Sequence, residues 1–201
     1  MTMQRGFDPR PGAWRRHAAP GWLALRLGLM GLMGLMGLMG LMGLMLPSAR
    51  ADESPEYRLK TAFLYNFALF TEWPAEVGST LTLCLYGPDP FGKEIDALQA
   101  KAVGARSIET QHRAIGAALG GCQIVFITAP AMAGLPRVLA AVQGSPVLTV
   151  ADSPGAARLG VALNMTVLQG RVAFEANLGA ARAARLSLSS KLLRLATEVL
   201  Q

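Results

Sequence analysis

The chain has 201 residues and a formal net charge of +6, but its basic residues and its methionines are unevenly distributed. Six of the 19 Lys and Arg residues and eight of the ten Met residues lie within residues 1–51. The rest of the chain is therefore close to neutral, which excludes the strongly basic body of a nucleic-acid-binding domain. Its richness in Leu, Val, Ala and Phe excludes fibrous and disordered classes and suits one domain.

The N-terminal segment has the parts of a secretory signal peptide. Arginines precede an uncharged run over residues 27–46, which contains six copies of Gly-Leu-Met. Pro47 then breaks the helix, and Ala49-Arg50-Ala51 has the small-x-small pattern that a signal peptidase reads. We predict a cleaved signal peptide over 1–51 and a folded domain over 52–201. The alternative is an inner-membrane anchor through 27–46, since roughly 20 apolar residues can span a bilayer.

The domain is predicted to begin with a helix and to continue as strands separated by helices. Ser54 can cap a helix that starts at Pro55, and its apolar face is formed by Leu59, Phe63, Phe67 and Phe70. Trp73-Pro74 ends this helix. The strands predicted after it cover 80–86, 106–111, 122–128 and 146–150, with short helices near 93–99 and 135–142. Strands that alternate with helices indicate a mainly parallel, two-sided α/β sheet.

The last third of the chain predicts a hairpin followed by two helices. Apolar residues alternate with polar or small ones over 161–167 and again over 172–176, and Gln169-Gly170 forms the turn between them. Asn177 is expected to cap a helix over 178–185. Ser189 or Ser190 is expected to cap a final helix over 191–200.

Several segments resemble the YfiR family in order and spacing. Residues 57–68 with Trp73-Pro74 look like its opening signature, and the later similar segments are 87–92, 122–127, 148–150, Asn164 with 171–177, and 186–193. The resemblance covers essentially all of 54–197, although Ala151 stands where the family commonly has Gly. It implies a single periplasmic α/β domain with a Rossmann-like sheet. It also implies a regulatory role in cyclic-di-GMP signalling and biofilm formation, by binding the periplasmic sensor domain of an inner-membrane diguanylate cyclase.

The two cysteines, Cys84 and Cys122, both follow the predicted signal peptide. An even number of cysteines in an oxidising compartment favours a disulfide, and the alternative is two buried free thiols. Cys84 lies in the first predicted strand of the sheet and Cys122 opens the third. Facing Cα atoms fall within bridging range if those strands are neighbours. The resemblance adds that family members carry cysteines in similar places.

The residues offer little for a catalytic, metal or cofactor site. His112 is the one histidine of the predicted domain and has no evident Ser or Cys partner, so we expect a surface side chain. The histidine and cysteine content leaves no transition-metal cluster, and no Gly-rich nucleotide loop appears. Asp89 and Asp152 follow strands, where open α/β sheets bind ligands, although Asp in this position also serves ordinary turns. We therefore expect no enzyme, metal or cofactor, and keep both aspartates as candidate ligand-binding residues.

The predicted final helix carries apolar residues on more than one side. Leu192 and Leu195 are expected to pack in the core, which leaves a strip formed by Leu193, Arg194, Val199 and Leu200. Exposed apolar surface of this kind suits a partner or self-association. Arg171, Glu175 and Asn177 share one strand face, which is either solvated or lines a ligand or partner surface.

Two functions remain open at this point. The first is a periplasmic regulatory binder of a membrane diguanylate cyclase. The second is a periplasmic small-ligand sensor with a different membrane target, served by the loops around Asp89 and Asp152. An outer-membrane lipoprotein as a second partner and a homodimer are left open, and no nucleic-acid partner is expected.

Overall fold

The structure is a computed structural model, and it describes residues 55–201. The predicted signal peptide, its alternative as an anchor and the predicted cap Ser54 lie outside the described residues. Among the described residues, no helix combines the length and the hydropathy that crossing a bilayer requires.

Helices and strands alternate along the described chain. The helices are α1 Pro55–Leu69, α2 Leu135–Val142, α3 Leu178–Ala183 and α4 Ser190–Leu193, with 3-10 helices at Gly92–Leu98 and Ala129–Gly134. The first strands are β1 Thr71–Glu72, β2 Thr80–Tyr86, β3 Ala102–Val103, β4 Arg106–Arg113 and β5 Ile124–Ile127. The later strands are β6 Leu148–Ala151, β7 Leu163–Leu168, β8 Arg171–Asn177, β9 Ser187–Leu188 and β10 Glu198–Leu200.

Eight of these strands form one sheet in the order β10-β8-β7-β6-β5-β2-β4-β3. The four central pairings from β4 to β7 are parallel, and so is the pairing of β10 with β8. Within this sheet, β7 pairs antiparallel with β8, and β3 pairs antiparallel with β4. The prediction of a mainly parallel α/β sheet with a C-terminal hairpin is therefore confirmed. Short β1 and β9, which were not predicted, pair as a separate two-stranded sheet.

The sheet is covered on both faces, so its central strands are apolar on both sides. We call the two sides the α1 face and the α2 face. On the α1 face, Phe67 packs edge-on against Phe174 of β8, with ring centroids 5.1 Å apart. On the α2 face, Leu135 and Val138 pack with residues of β2 and β5. Each central strand supplies side chains to both cores by simple alternation.

The buried side of α1 is rotated from the predicted one. Leu59, expected in the core, is 45% exposed, while Lys60 and Leu64 are buried. The cause is polar: Lys60 turns inward to reach an aspartate at the end of β6. Thr61 is buried beside it, and its hydroxyl is satisfied by donating to the Tyr57 carbonyl at 2.9 Å. The prediction counted apolar positions alone, and it therefore placed the buried face of α1 wrongly.

The prediction of a continuous final helix over 191–200 is wrong. Ser189 caps a helix as predicted, its hydroxyl accepting from the Leu192 amide, but α4 ends at Leu193. The amide and the hydroxyl of Thr197 both donate to the Phe174 carbonyl at 2.9 Å, and the chain continues as β10 beside β8. Leu192 is buried as expected. Leu195, expected in the core, lies in the connecting turn and is 70% exposed.

Candidate functional site

A disulfide connects two neighbouring segments at the centre of the sheet. Cys84 lies in β2 and Cys122 lies two residues before β5, and their Cα atoms are 5.8 Å apart. The bridge forms because β2 and β5 are neighbours, with Cys84 in register with Val125. Both cysteines are buried in the α2-face core. The predicted pairing is present, and it links two strands that are separated along the chain by β3 and β4.

The carboxyl ends of the parallel strands hold a buried charged cluster. Asp152, directly after β6, accepts from the Lys60 ammonium at 2.7 Å and from the Tyr57 hydroxyl at 3.2 Å. The Lys60 and Asp152 side chains are only 4% and 5% exposed. Lys60 also pairs with Glu56 and lies over the Tyr57 ring, 4.5 Å from its centroid. The cluster therefore fixes the first two turns of α1 to the sheet.

The surroundings of this cluster keep both Lys60 and Tyr57 protonated. Burial raises the pKa of Tyr57, and the negative charge of Asp152 raises it further. Burial alone would lower the pKa of Lys60. The hydrogen bonds to Asp152 and Glu56 outweigh burial, however, and the pKa of Lys60 is raised. The lysine is thus held as a cation and the tyrosine as a neutral donor.

Asp89 serves the turn after β2 rather than the cluster. Its carboxylate accepts from the Phe91 amide at 2.7 Å, which is the local turn bond that Asp commonly makes. The Phe91 ring then packs edge-on between Tyr57 and Phe126. Both aspartates singled out from the sequence thus lie at the expected sheet edge, and each has a partner within the chain. Their role in binding a ligand remains a prediction.

Polar side chains on one face of β8 make hydrogen bonds within the domain. The Asn164 amide donates to Glu175 at 3.0 Å, and Asn177 both caps α3 and donates to the Ala157 carbonyl at 2.8 Å. Arg158 makes two contacts to the Glu198 carboxylate, at 2.7 and 2.8 Å. The bonds of Asn177 and Arg158 hold the loop over 153–160 against β8 and β10. Arg171, by contrast, is exposed.

Sequence reasoning missed Lys60 and Tyr57 as members of the edge cluster. A lysine inside an amphipathic helix is ordinarily placed on the solvated face, and no local pattern says that Asp152 comes to meet it. The available signal was Glu56, four residues before Lys60, which is the spacing of a helical ion pair. That spacing does not distinguish a surface pair from a buried one.

The residues of the predicted partner strip do not share one helix face. Leu193 packs partly against the α1-face core, and Arg194 is exposed in the turn after α4. Val199 and Leu200 are successive residues of β10, so they point to opposite faces of the sheet. Their role in partner binding stays a prediction, and the strip as a continuous surface on a helix is wrong.

Exposed apolar residues instead gather at the hairpin end of the sheet. We call this region the hairpin-end surface, and its apolar members, between 45% and 70% exposed, are Leu59, Val167 and Leu195. Leu195 precedes β10, which runs parallel to β8, so it lies towards the start of β8 and the hairpin turn. Leu59 lies one helical turn before Phe63, whose ring contacts Phe174 of β8.

The predicted surface histidine lies apart from the edge cluster. His112 is exposed at the far side of the sheet, on β4. Within residues 55–201, no group of three or more His, Cys, Asp or Glu side chains is arranged to hold a metal ion. Among the described residues, the most polar buried assembly is the Lys60–Asp152 cluster, whose groups bind one another.

These features define a disulfide-bonded, mainly parallel α/β domain with exposed apolar surface at one end of its sheet. The chain belongs to the YfiR/HmsC-like family, whose family model matches residues 57–197. The comparison with curated proteins gives no match.

Proposed function

We propose that the protein is an exported regulator that binds the periplasmic sensor domain of an inner-membrane diguanylate cyclase and lowers its output of cyclic-di-GMP. The observation that carries this proposal is the family match over nearly the whole described domain. The Ala49-Arg50-Ala51 pattern supports export with cleavage after Ala51. N-terminal sequencing of the exported protein should then begin at Asp52.

Two features of the domain support binding rather than chemistry. Its buried charged residues, Lys60 and Asp152, neutralise each other and are closed off from water. Its hairpin-end surface exposes several large apolar side chains near one another, which suits a protein partner. A regulator that acts by occupying a sensor domain needs such a surface and no reactive group.

The proposal is tested by the cyclic-di-GMP level of cells with and without the gene. Deletion should raise cyclic-di-GMP and biofilm formation, and re-expression of the full chain should restore both. Deleting the gene in a strain that also lacks the target cyclase should have no further effect. An unchanged cyclic-di-GMP level in the single deletion would contradict the proposal and favour a small-ligand sensor with another membrane target.

A further inference from the structure

The hairpin-end surface combines apolar and cationic side chains. Leu195 is its most exposed apolar residue, and Arg194 precedes it directly. Lys191 lies on the short helix before this turn, whose buried Leu192 belongs to the α1-face core. Both cationic side chains belong to exposed residues. Apolar contacts surrounded by charge are the usual composition of a protein-binding surface.

The two cations of this surface have no counter-ion among the described residues. Lys191 and Arg194 make no ion pair within residues 55–201. The acidic residues of the neighbouring elements are already engaged: Glu56 with Lys60, Glu198 with Arg158 and Glu175 with Asn164. The surface therefore presents positive charge that nothing in the described chain neutralises.

We propose that the hairpin-end surface binds an acidic amphipathic segment of the cyclase's periplasmic domain, an inference that rests on the proposed function. The apolar side of that segment would cover Leu195 and Val167, and its carboxylates would meet Lys191 and Arg194. Complementary charge of this kind speeds association and selects the partner, while the buried apolar contacts supply most of the affinity.

The test is co-immunoprecipitation of the cyclase with the full chain from detergent-solubilised membranes, with the cyclase quantified by mass spectrometry. The double variant Lys191→Glu with Arg194→Glu should recover about tenfold less cyclase than the wild type, since it replaces attraction with repulsion. Raising NaCl from about 50 to about 500 mM should weaken wild-type recovery and leave the variant little changed. Arg137→Glu is the matched control, because Arg137 is also exposed but lies on α2, on the opposite face.

A second arm exchanges the charges. Replacing exposed acidic residues of the cyclase's periplasmic domain with Lys should restore binding to the double variant and weaken binding to the wild type. Equal, salt-independent recovery by wild type and double variant would overturn this inference while leaving the proposed function intact. Recovery of no cyclase by the wild type would overturn both. Binding of the wild type, but not the variant, to phosphatidylglycerol vesicles, with no such difference for the cyclase, would assign the surface to membrane lipid and overturn a protein partner.

Discussion

Lys60 has its ammonium group almost completely removed from water, and its main partner Asp152 is equally buried. Replacing Lys60 with Met would leave that carboxylate in an apolar surrounding with only the Tyr57 hydroxyl as partner. We expect Lys60→Met to lower the free energy of unfolding by about 3–5 kcal/mol, as measured by urea denaturation.

A matched control lies two residues earlier on the same helix. Arg58 pairs with Glu94 at 3.3 Å, but its side chain is 69% exposed. Arg58→Met should therefore cost less than about 1 kcal/mol. Equal losses in the two variants would show that the Lys60 pair does not anchor α1.

The same cluster predicts a loss of stability in alkali. The pKa values of Lys60 and Tyr57 are both raised on folding. The folded state then retains protons that the unfolded state releases, so this stabilisation is complete below the ordinary pKa range of the two groups. It is lost as the pH rises above about 10, through the raised values. Thermal unfolding between pH 8 and 11 should show this fall, and the double variant Lys60→Met with Tyr57→Phe should show a smaller one. An identical fall in the double variant would rule out the cluster as its source.

Residue-level features were predictable from the sequence only where a general rule applied. Cys84 and Cys122 could be paired from their number and their expected compartment. The caps of α3 and α4, Asn177 and Ser189, followed from the side chains that favour that position. The contact between Lys60 and Asp152 could not be predicted, because it joins residues 92 apart along the chain and no local pattern encodes it.

At the scale of secondary-structure elements, the disulfide connects β2 to the residues just before β5, in the middle of the sheet. The bridge closes a segment with a sequence separation of 38, which in the chain-entropy view restricts the unfolded state. Cys84→Ser should lower the free energy of unfolding by about 2–5 kcal/mol, measured by denaturation without reductant.

Reduction provides the control for the bridge. Dithiothreitol should destabilise the wild type and leave Cys84→Ser unchanged. A wild type that is equally stable with and without reductant, while mass analysis shows the bridge broken, would contradict a stabilising role.

Two leucines close together at the end of α4 and in the turn after it differ strongly in burial. Leu192 is buried and Leu195 is largely exposed. Leu192→Asp should therefore prevent stable folding, whereas Leu195→Asp should keep the wild-type melting temperature and weaken cyclase recovery. Circular dichroism on heating and the immunoprecipitation above measure the two effects. Leu159→Asp is the control for exposure, because Leu159 is exposed on the opposite face and should change neither. Unfolding of Leu195→Asp would contradict this placement.

Elements with a strong apolar pattern and with turn-forming residues close to their ends were predicted well. Thr80–Tyr86 and Leu135–Val142 occur at the predicted bounds, and the hairpin turns at Gln169-Gly170. The final strand was missed because residues 191–200 resemble an amphipathic helix locally. The bonds from Thr197 to the Phe174 carbonyl and the free edge of β8 decide the outcome, so tertiary pairing overrides local helix propensity.

At the scale of the whole molecule, the described domain is a sheet with two covered faces and one end that exposes both apolar and cationic side chains. Its class could be predicted from the alternation of strands and helices together with the resemblance to a family. The location of the exposed surface could not, since Leu59, Val167 and Leu195 come together only through the order of the strands. The exposed apolar residues therefore lie at the hairpin end of the sheet and not along a final helix.

The central claim is that this protein lowers the activity of a membrane diguanylate cyclase by binding it. The most direct measurement is the rate of cyclic-di-GMP synthesis from GTP by the full-length cyclase in lipid nanodiscs, titrated with the purified protein. We predict that the rate falls to a plateau as the protein is added, and that Leu195→Asp shifts this curve to higher concentration. A rate that stays unchanged at protein concentrations well above that of the cyclase would contradict the account.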